Sequence, residues 1–387
     1  MKKKSELCIL HSAFSVMLSV LLLATLSASA QTFIKPTDKN IQYIGRISFA
    51  NPNAPAWNYT GTTIRVEFTG TSLKMKCKPE SGYFMATVNN DKAFKVAFAN
   101  KNDSIATIAS DLVYGVHSAE IMYCIEGHDN NPEFYGFILD EGEQTVPPTL
   151  LSARKIEFIG NSITCGYGVE DPDPNHHFDY AAENHYLSYA AITARRLDAQ
   201  HFSVSRSGIG ISRHYGSSAE GSEVCMPKQY AYTRLYNKSE KWDFSRFQPD
   251  VVCINLGTND TSPDLESAIS NSQNHDPNAA RPMGCKPEKL KPAYRDFLKT
   301  VRGHYPNAKI VLLCGSMLQG EGLKIISDTM DEVVAEANKA GDKEVYRFNF
   351  TPQDGSRGYG ADWHPSIAQQ QFMADELTPY LQELMGW

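Results

Sequence analysis

The sequence predicts an α/β fold, a parallel sheet flanked by helices, preceded by an N-terminal antiparallel β-sandwich of jelly-roll type. Three observations predict it. From Ile41 to Asp140 apolar side chains recur at every second position. From Lys155 onward, short apolar strands alternate with helical segments. Between the two rhythms, Glu141-Gly-Glu-Gln-Thr-Val-Pro-Pro148 is polar and rich in turn formers, and reads as a linker. The expected organisation is residues 1–30 as a signal peptide, 31–148 as the sandwich and 149–387 as the α/β domain.

In the first rhythm Ile64, Val66 and Phe68 alternate with Arg65, Glu67 and Thr69, and Leu73, Met75 and Cys77 with lysines. Phe94, Val96 and Phe98 repeat the pattern, while Ile121–Ile125 reads as a more fully buried strand. The aromatic residues Phe84, Phe94 and Phe98 are expected in the sandwich core. Asn89-Asn-Asp91 and Asn100-Lys-Asn-Asp103 are turn signals. In the second rhythm strands are expected at 155–159, 201–205, 251–256, 310–313 and 345–348. Helices are expected at 186–197, 290–304, 328–339 and 367–384. Ligands of such sheets bind beyond the carboxyl ends of the strands. Ser162 and Asn259 fall at such ends, and the long polar stretch from Thr261 to Pro287 is expected as a functional loop beside them.

The first thirty residues form a separate unit. Lys2, Lys3 and Lys4 precede a mostly apolar run to Leu26, and Ala28-Ser29-Ala30 suits cleavage before Gln31. The run is interrupted by His11, Ser12, Ser15 and Ser19, which disfavours a stable membrane anchor. A secreted or periplasmic location is therefore expected. Cleavage would remove three basic and one acidic residue and shift the net charge from −7 to −9. An acidic chain with no basic stripe is a poor partner for nucleic acid. Of eight cysteines, Cys8 would leave with the signal, and no C-x-x-C spacing points to zinc or redox chemistry. Cys77, Cys124, Cys253 and Cys314 read as buried thiols, and a disulfide between Cys225 and Cys285 is left open.

Three segments carry chemistry. Lys155-Ile-Glu-Phe-Ile-Gly-Asn-Ser-Ile-Thr164 ends a strand in a small turn bearing Ser162, with Gly160 permitting the turn. Ser162 there is either a nucleophile or the N-cap of a short helix. Asp362-Trp-His364-Pro365 offers a general base, with Pro365 expected at the first position of the last helix. The Asp362 carboxylate or its backbone carbonyl would orient the histidine. Asn259, in Leu256-Gly-Thr-Asn-Asp260, and the backbone N–H of Gly208 are donors for an oxyanion. Trp363 and Tyr167 are the candidate flat faces for stacking on a ligand, with local packing as the other reading.

Together these blocks resemble the SGNH (GDSL-type) hydrolases: Gly160-Asn-Ser-Ile-Thr164, Ser207-Gly208, Gly257-Thr-Asn-Asp260 and Asp362-Trp-His364-Pro365, in that order. A closer likeness is to carbohydrate esterase family two, on the run from Ile156 to Gly168 and on Gly45-Arg46 followed by Phe49. The resemblance implies a jelly roll joined to an SGNH hydrolase domain. It implies Ser162 as nucleophile, His364 as base, and an oxyanion hole of the Ser162 and Gly208 N–H groups with Asn259. Family members remove O-acetyl groups from plant polysaccharides such as xylan and glucomannan. Asn161 stands where the superfamily usually has aspartate, and Asp362 precedes His364 by two residues rather than three. Family two shares that shorter spacing, and some members orient the histidine through a main-chain carbonyl.

The expected activity is thus a secreted serine esterase, an acetylxylan esterase type, acting on acetylated plant polysaccharide or oligosaccharide through an acetyl-enzyme, with no metal or organic cofactor required. The competing readings are a lipase or thioesterase of the same superfamily, a non-catalytic carbohydrate-binding protein on the same fold, and a structural surface protein.

Overall fold

A computed structural model describes residues 31–217, 221–262 and 287–387. Residues 1–30, expected as a signal peptide, most of the polar stretch from Thr261 to Pro287, and Cys285 lie outside the described residues.

Ten strands build the first layer pair: β1 (Thr32–Ile34), β2 (Gln42–Ile44), β3 (Thr63–Gly70), β4 (Leu73–Cys77), β5 (Gly82–Val88), β6 (Phe94–Phe98), β7 (Ile105–Ala109), β8 (Gly115–Tyr123), β9 (Phe134–Leu139) and β10 (Thr145–Val146). One antiparallel sheet runs β1-β9-β4-β7, the other β10-β3-β8-β5-β6 with β2 also on β3. Their inward residues, among them Phe68, Leu73, Met75, Phe84, Phe98 and Phe137, make one continuous core. This is the alternation of the sequence turned into a sandwich. The turn between β5 and β6 has Asn89 and Asn90 at φ 53° and 61°, with Asp91 N–H donating to Val88 O at 2.9 Å. Asparagine tolerates the left-handed region such a hairpin turn requires.

Two expectations are corrected here. Phe94 is 39% exposed, because β6 is an edge strand and its first residue projects beyond the core that Val96 and Phe98 fill. The second half of the expected linker is strand β10, with Thr145 opposite Phe68. Its polar side chain is satisfied inside the sandwich, donating to Asp38 Oδ1 and accepting from Asn40 Nδ2, both at 3.0 Å.

The second half holds β11 (Lys155–Gly160), α1 (Ser162–Cys165), α2 (Tyr189–Arg196), β12 (Gln200–Ser205), α3 (Met226–Gln229), β13 (Val251–Asn255), α4 (Pro287–His304), β14 (Lys309–Cys314), α5 (Gly320–Lys339), β15 (Val345–Asn349) and α6 (Ile367–Met385). The five strands are parallel, in the order β12-β11-β13-β14-β15. Val252 and Ile254 face a core shared with α4 and α5, whereas Val251 and Cys253 face one shared with α2 and α6. The strands are buried on both faces, which is why they read as unbroken apolar runs. α5 begins eight residues before the expected start at 328, since Leu323 and the buried Ile326 pack on the core and outweigh the poor helix propensity of Gly320 and Gly322. The segment expected as one helix from Tyr186 divides at Ser188, which is extended and caps α2.

The two halves are joined by a buried ion pair. Arg46, just after β2, meets Glu157 of β11 at 3.1 Å, both side chains fully buried. Tyr230 and Tyr305 hydroxyls also donate to Glu157, and the Arg46 guanidinium lies 4.6 Å from the Tyr230 ring centre. Among the described residues no helix is long and apolar enough to cross a membrane.

Candidate active site

In this sheet the strand order reverses at β11, whose neighbours β12 and β13 lead the chain in opposite lateral directions, and the carboxyl end of such a strand is where sheets of this kind bind ligands. Ser162 sits there as the first residue of α1, and is 6% exposed. The cap of that helix is Asn161, whose side chain accepts from Ile163 N–H at 3.0 Å. The N-cap reading of Ser162 is therefore corrected: Asn161 does the capping and the serine hydroxyl is left free for other contacts. Gly160 makes the tight turn possible, since a Cβ there would lie 2.0 Å from Thr164 Oγ1.

His364 is brought across from the loop before α6. Its Nε2 is 2.9 Å from Ser162 Oγ, and its Nδ1 is 3.1 Å from the backbone carbonyl of Ala361. A carbonyl can only accept, so Nδ1 carries the proton and the Nε2 lone pair faces the serine hydroxyl. Burial pushes the His364 pKa down to about 4, partly offset by the Ala361 carbonyl and the charge of Asp362. The imidazole is neutral at neutral pH and able to take a proton.

Asp362 is near but turned away. One carboxylate oxygen accepts from Tyr167 Oη–H and the other from His177 Nδ1–H at 2.8 Å. The carbonyl behind the histidine is that of Ala361, one residue before the Asp362 carbonyl that the sequence offered. The reason is backbone geometry: Asp362 and Trp363 both have positive φ, 50° and 62°. This turn is held by Asp362 N–H to His176 O at 2.9 Å, Ala361 N–H to Gly168 O at 3.1 Å, and Gln353 Nε2–H to Trp363 O at 2.8 Å. Pro365 is not in the helix; Ser366 takes the cap position, accepting from Gln369 N–H at 3.2 Å.

Tyr167 stacks on the His364 ring at 4.0 Å between centroids and 24° between planes, and packs against Phe178 on another side. It thus braces the histidine, the packing reading of this residue. Trp363 is 51% exposed with Tyr359 edge-on at 5.0 Å, so much of its ring is open to solvent. Gly208, at φ 77°, lies in the loop after β12. Asn259, after β13, is buried and donates one amide hydrogen to Ile209 O at 2.9 Å, leaving its other hydrogen for a ligand.

Several residues went unnoticed in the sequence. Asp260 is buried and accepts from Ile211 N–H and Ser212 N–H at 2.8 Å and Ser212 Oγ–H at 2.7 Å, fixing the loop that carries Gly208. It lies beside Asn259 in the same block, so the signal was present. Gln370 on α6 donates to Ile163 O at 2.9 Å and accepts from Tyr189 N–H at 2.8 Å, tying the helix after His364 to the helix of Ser162. Glu126, Cys165 and Glu183 form a buried group whose ligand-capable atoms lie within 4.8 Å of one another. Each is already engaged: Glu126 by Ser207 N–H at 2.6 Å, Glu183 by Glu126 N–H at 3.0 Å, and Cys165 by Ser205 Oγ at 3.3 Å. They read as a hydrogen-bonded junction. The six described cysteines are buried, Cys225 among them; its expected partner Cys285 lies outside the described residues.

Comparison with known proteins agrees with this architecture. Residues 43–148 match the N-terminal model of carbohydrate esterase 2, and residues 158–371 match the GDSL-like lipase/acylhydrolase family. The chain is 36% identical over 347 residues to the cellulase/esterase CelE of Acetivibrio thermocellus, covering 90% of this chain and 40% of that longer protein. It is 28% identical to an acetylxylan esterase / glucomannan deacetylase of Cellvibrio japonicus, over 97% of this chain and 99% of that one. A family two carbohydrate esterase from Clostridium thermocellum, solved in complex with cellohexaose, superposes with a TM-score of 0.78 at 36% identity, covering 90% of this chain and 99% of that chain. With the GDSL-like model alone spanning more than half of its residues, the chain belongs to the GDSL-like lipase/acylhydrolase family, as one of the family two carbohydrate esterases.

Proposed function

We propose that the protein is an exported serine esterase that removes O-acetyl groups from plant polysaccharide, of xylan or glucomannan type, through an acetyl-enzyme. The observation that carries this reading is the 2.9 Å approach of a neutral His364 Nε2 to Ser162 Oγ at the switch point of the sheet. In the first step the Ser162 hydroxyl proton passes to Nε2 as Oγ attacks the acetyl carbonyl. The Ser162 and Gly208 N–H groups and the free Asn259 amide hydrogen meet the oxyanion. The imidazolium is stabilised by the Ala361 carbonyl on Nδ1 and by the nearby Asp362 charge. The sugar oxygen leaves with the histidine's proton, and water repeats the sequence to release acetate.

The exposed Trp363 beside the pair gives a sugar ring a flat apolar face. The Cellvibrio relative, an acetylxylan esterase / glucomannan deacetylase, supports the choice of acetylated substrate. Export rests on the signal-like residues 1–30. The test is acetate release from acetylated xylan and glucomannan by the mature protein, beside Ser162→Ala. Release by the parent and loss of more than about a thousandfold in Ser162→Ala is expected. No release from either polymer or from a small activated acetate would overturn the reading.

A further inference from the structure

The loop that presents Gly208 is anchored from outside its own domain. Ser207, one residue before it, has its N–H on Glu126 Oε1 at 2.6 Å, across 81 residues of sequence. Its carbonyl accepts from Arg206 Nη1, which also meets His214 Nε2 at 2.7 Å. The Gly208 carbonyl accepts from Tyr215 N–H at 2.7 Å. The peptide plane between Ser207 and Gly208 contains both the Ser207 carbonyl and the Gly208 N–H, so Arg206 on that carbonyl fixes it directly, while Glu126 on the Ser207 N–H fixes the plane just before it and so the base from which the Gly208 N–H is aimed. Glycine at φ 77° has little steric preference of its own, and the plane could otherwise rotate.

Glu126 follows β8 of the sandwich and is 2% exposed. Its own backbone is held from the hydrolase side, Glu126 N–H donating to Glu183 Oε2 at 3.0 Å, and within the sandwich, Gly127 N–H donating to Asn58 O at 3.0 Å. Asn58 in turn exchanges two hydrogen bonds with the backbone of Leu235, at 3.1 and 2.8 Å. A carboxylate at this depth is costly unless hydrogen-bonded, and the bond it makes is to the oxyanion loop.

Accepting the serine-esterase reading with Gly208 as an oxyanion donor, we infer that Glu126 is a positioning residue for that donor, so that the sandwich supplies a working part of the hydrolytic site. The sandwich is then needed for turnover of any ester, including one with no sugar. Glu183, beside Glu126, is pushed well above the ordinary carboxylate range by burial and then by its neighbour Glu126.

The test uses the full mature chain and 4-nitrophenyl acetate, which has no sugar to recognise. Glu126→Ala is expected to lower kcat about a hundredfold with KM within about threefold of the parent, as a misaimed oxyanion donor does. Glu126→Gln keeps a carbonyl oxygen for Ser207 N–H and is expected to retain kcat within about fivefold. Amide hydrogen exchange at residues 206–209 should speed up in Glu126→Ala and stay near the parent in Glu126→Gln. A folded Glu126→Ala with kcat near the parent's, or a Glu126→Gln as inactive as Glu126→Ala, would overturn the assignment. Should Glu126→Ala fail to fold, Glu126→Met, which fills the volume without a strong acceptor, is read in the same way. If the parent itself hydrolyses no ester, the esterase reading is what falls, while unchanged exchange in Glu126→Ala would separately sink the positioning role.

Discussion

Asp362 and His364 are two residues apart, yet the carboxylate does not touch the imidazole, and the left-handed backbone at Asp362 and Trp363 is the cause. Non-glycine residues rarely adopt that region, and two in succession persist only where surrounding bonds hold them. The turn swings the Asp362 side chain toward Tyr167 and His177 and aims the Ala361 carbonyl at Nδ1. Asp362→Asn, which keeps an acceptor for Tyr167, should therefore cost less than about tenfold in kcat/KM. The lost charge should also move the acid limb of the pH profile downward, since Asp362 raises the His364 pKa. In the parent the base is active when neutral, so kcat/KM should fall only as pH drops toward about 4, below the limb of an ordinary histidine. A limb near the ordinary value of about 6.5 would contradict the half-buried, carbonyl-backed imidazole. The sequence singled out Ser162, Gly208 and Asn259 in turns after strands and His364 at the entrance to the last helix, and the structure brings His364 to Ser162. The direction of Asp362 was not legible, because it depends on a positive φ that nothing in an Asp-Trp pair announces.

At the scale of elements, the junction of β11 and α1 places Ser162 with almost no tolerance. Gly160 is close to Thr164, whose hydroxyl is paired with Tyr189 Oη at 2.9 Å. Gly160→Ala should therefore overpack the turn and destabilise the protein by about 1–3 kcal/mol, with activity falling further than stability, as read by urea unfolding beside ester hydrolysis. Strand and helix periodicity made nearly every element of this half readable, because its burial follows simple two-sided and one-sided patterns. The misreadings lie where a local rule lost to a stronger contact. Pro365 would start a helix by its fixed φ, but Ser366 supplies the side-chain cap one residue later. The glycines at 320 and 322 argue against a helix that the packing of Ile326 nevertheless extends through them. In the sandwich, β10 escaped notice because two residues are too few to show a period.

At the scale of the whole molecule, the two halves share buried polar groups as well as apolar surface. Arg46→Met would strip Glu157 of its counter-charge, leaving it with tyrosine hydroxyls alone, and should destabilise the protein by about 3–5 kcal/mol by chemical denaturation. A loss under about 1 kcal/mol would mean that the ion pair does not hold the halves together. A second pair predicts acid sensitivity. His185 and His201 face each other with Nε2 atoms 3.1 Å apart, His185 pushed down to about 4 by burial and His201 held well below its usual value by burial and by His185. The folded state refuses protons that the unfolded chain accepts, so stability should be full above about pH 6.5 and decline as pH falls from there toward 4. A flat unfolding free energy across that window would contradict it. Resemblance to a known family made the joining of the two halves readable, but the residues that join them were not. Buried polar pairs carry no periodic signal, and each partner alone looks like a surface charge. Finally, Ser162 and His364 are 202 positions apart, and α6, which follows His364, is tied to α1 by Gln370. A ribosome that has made the sandwich, the Ser162 turn and most of the sheet has still not made the partner of Ser162. The Ser162–His364 pair can form only when His364 and the helix behind it have been synthesised and docked, so an incomplete chain never contains it.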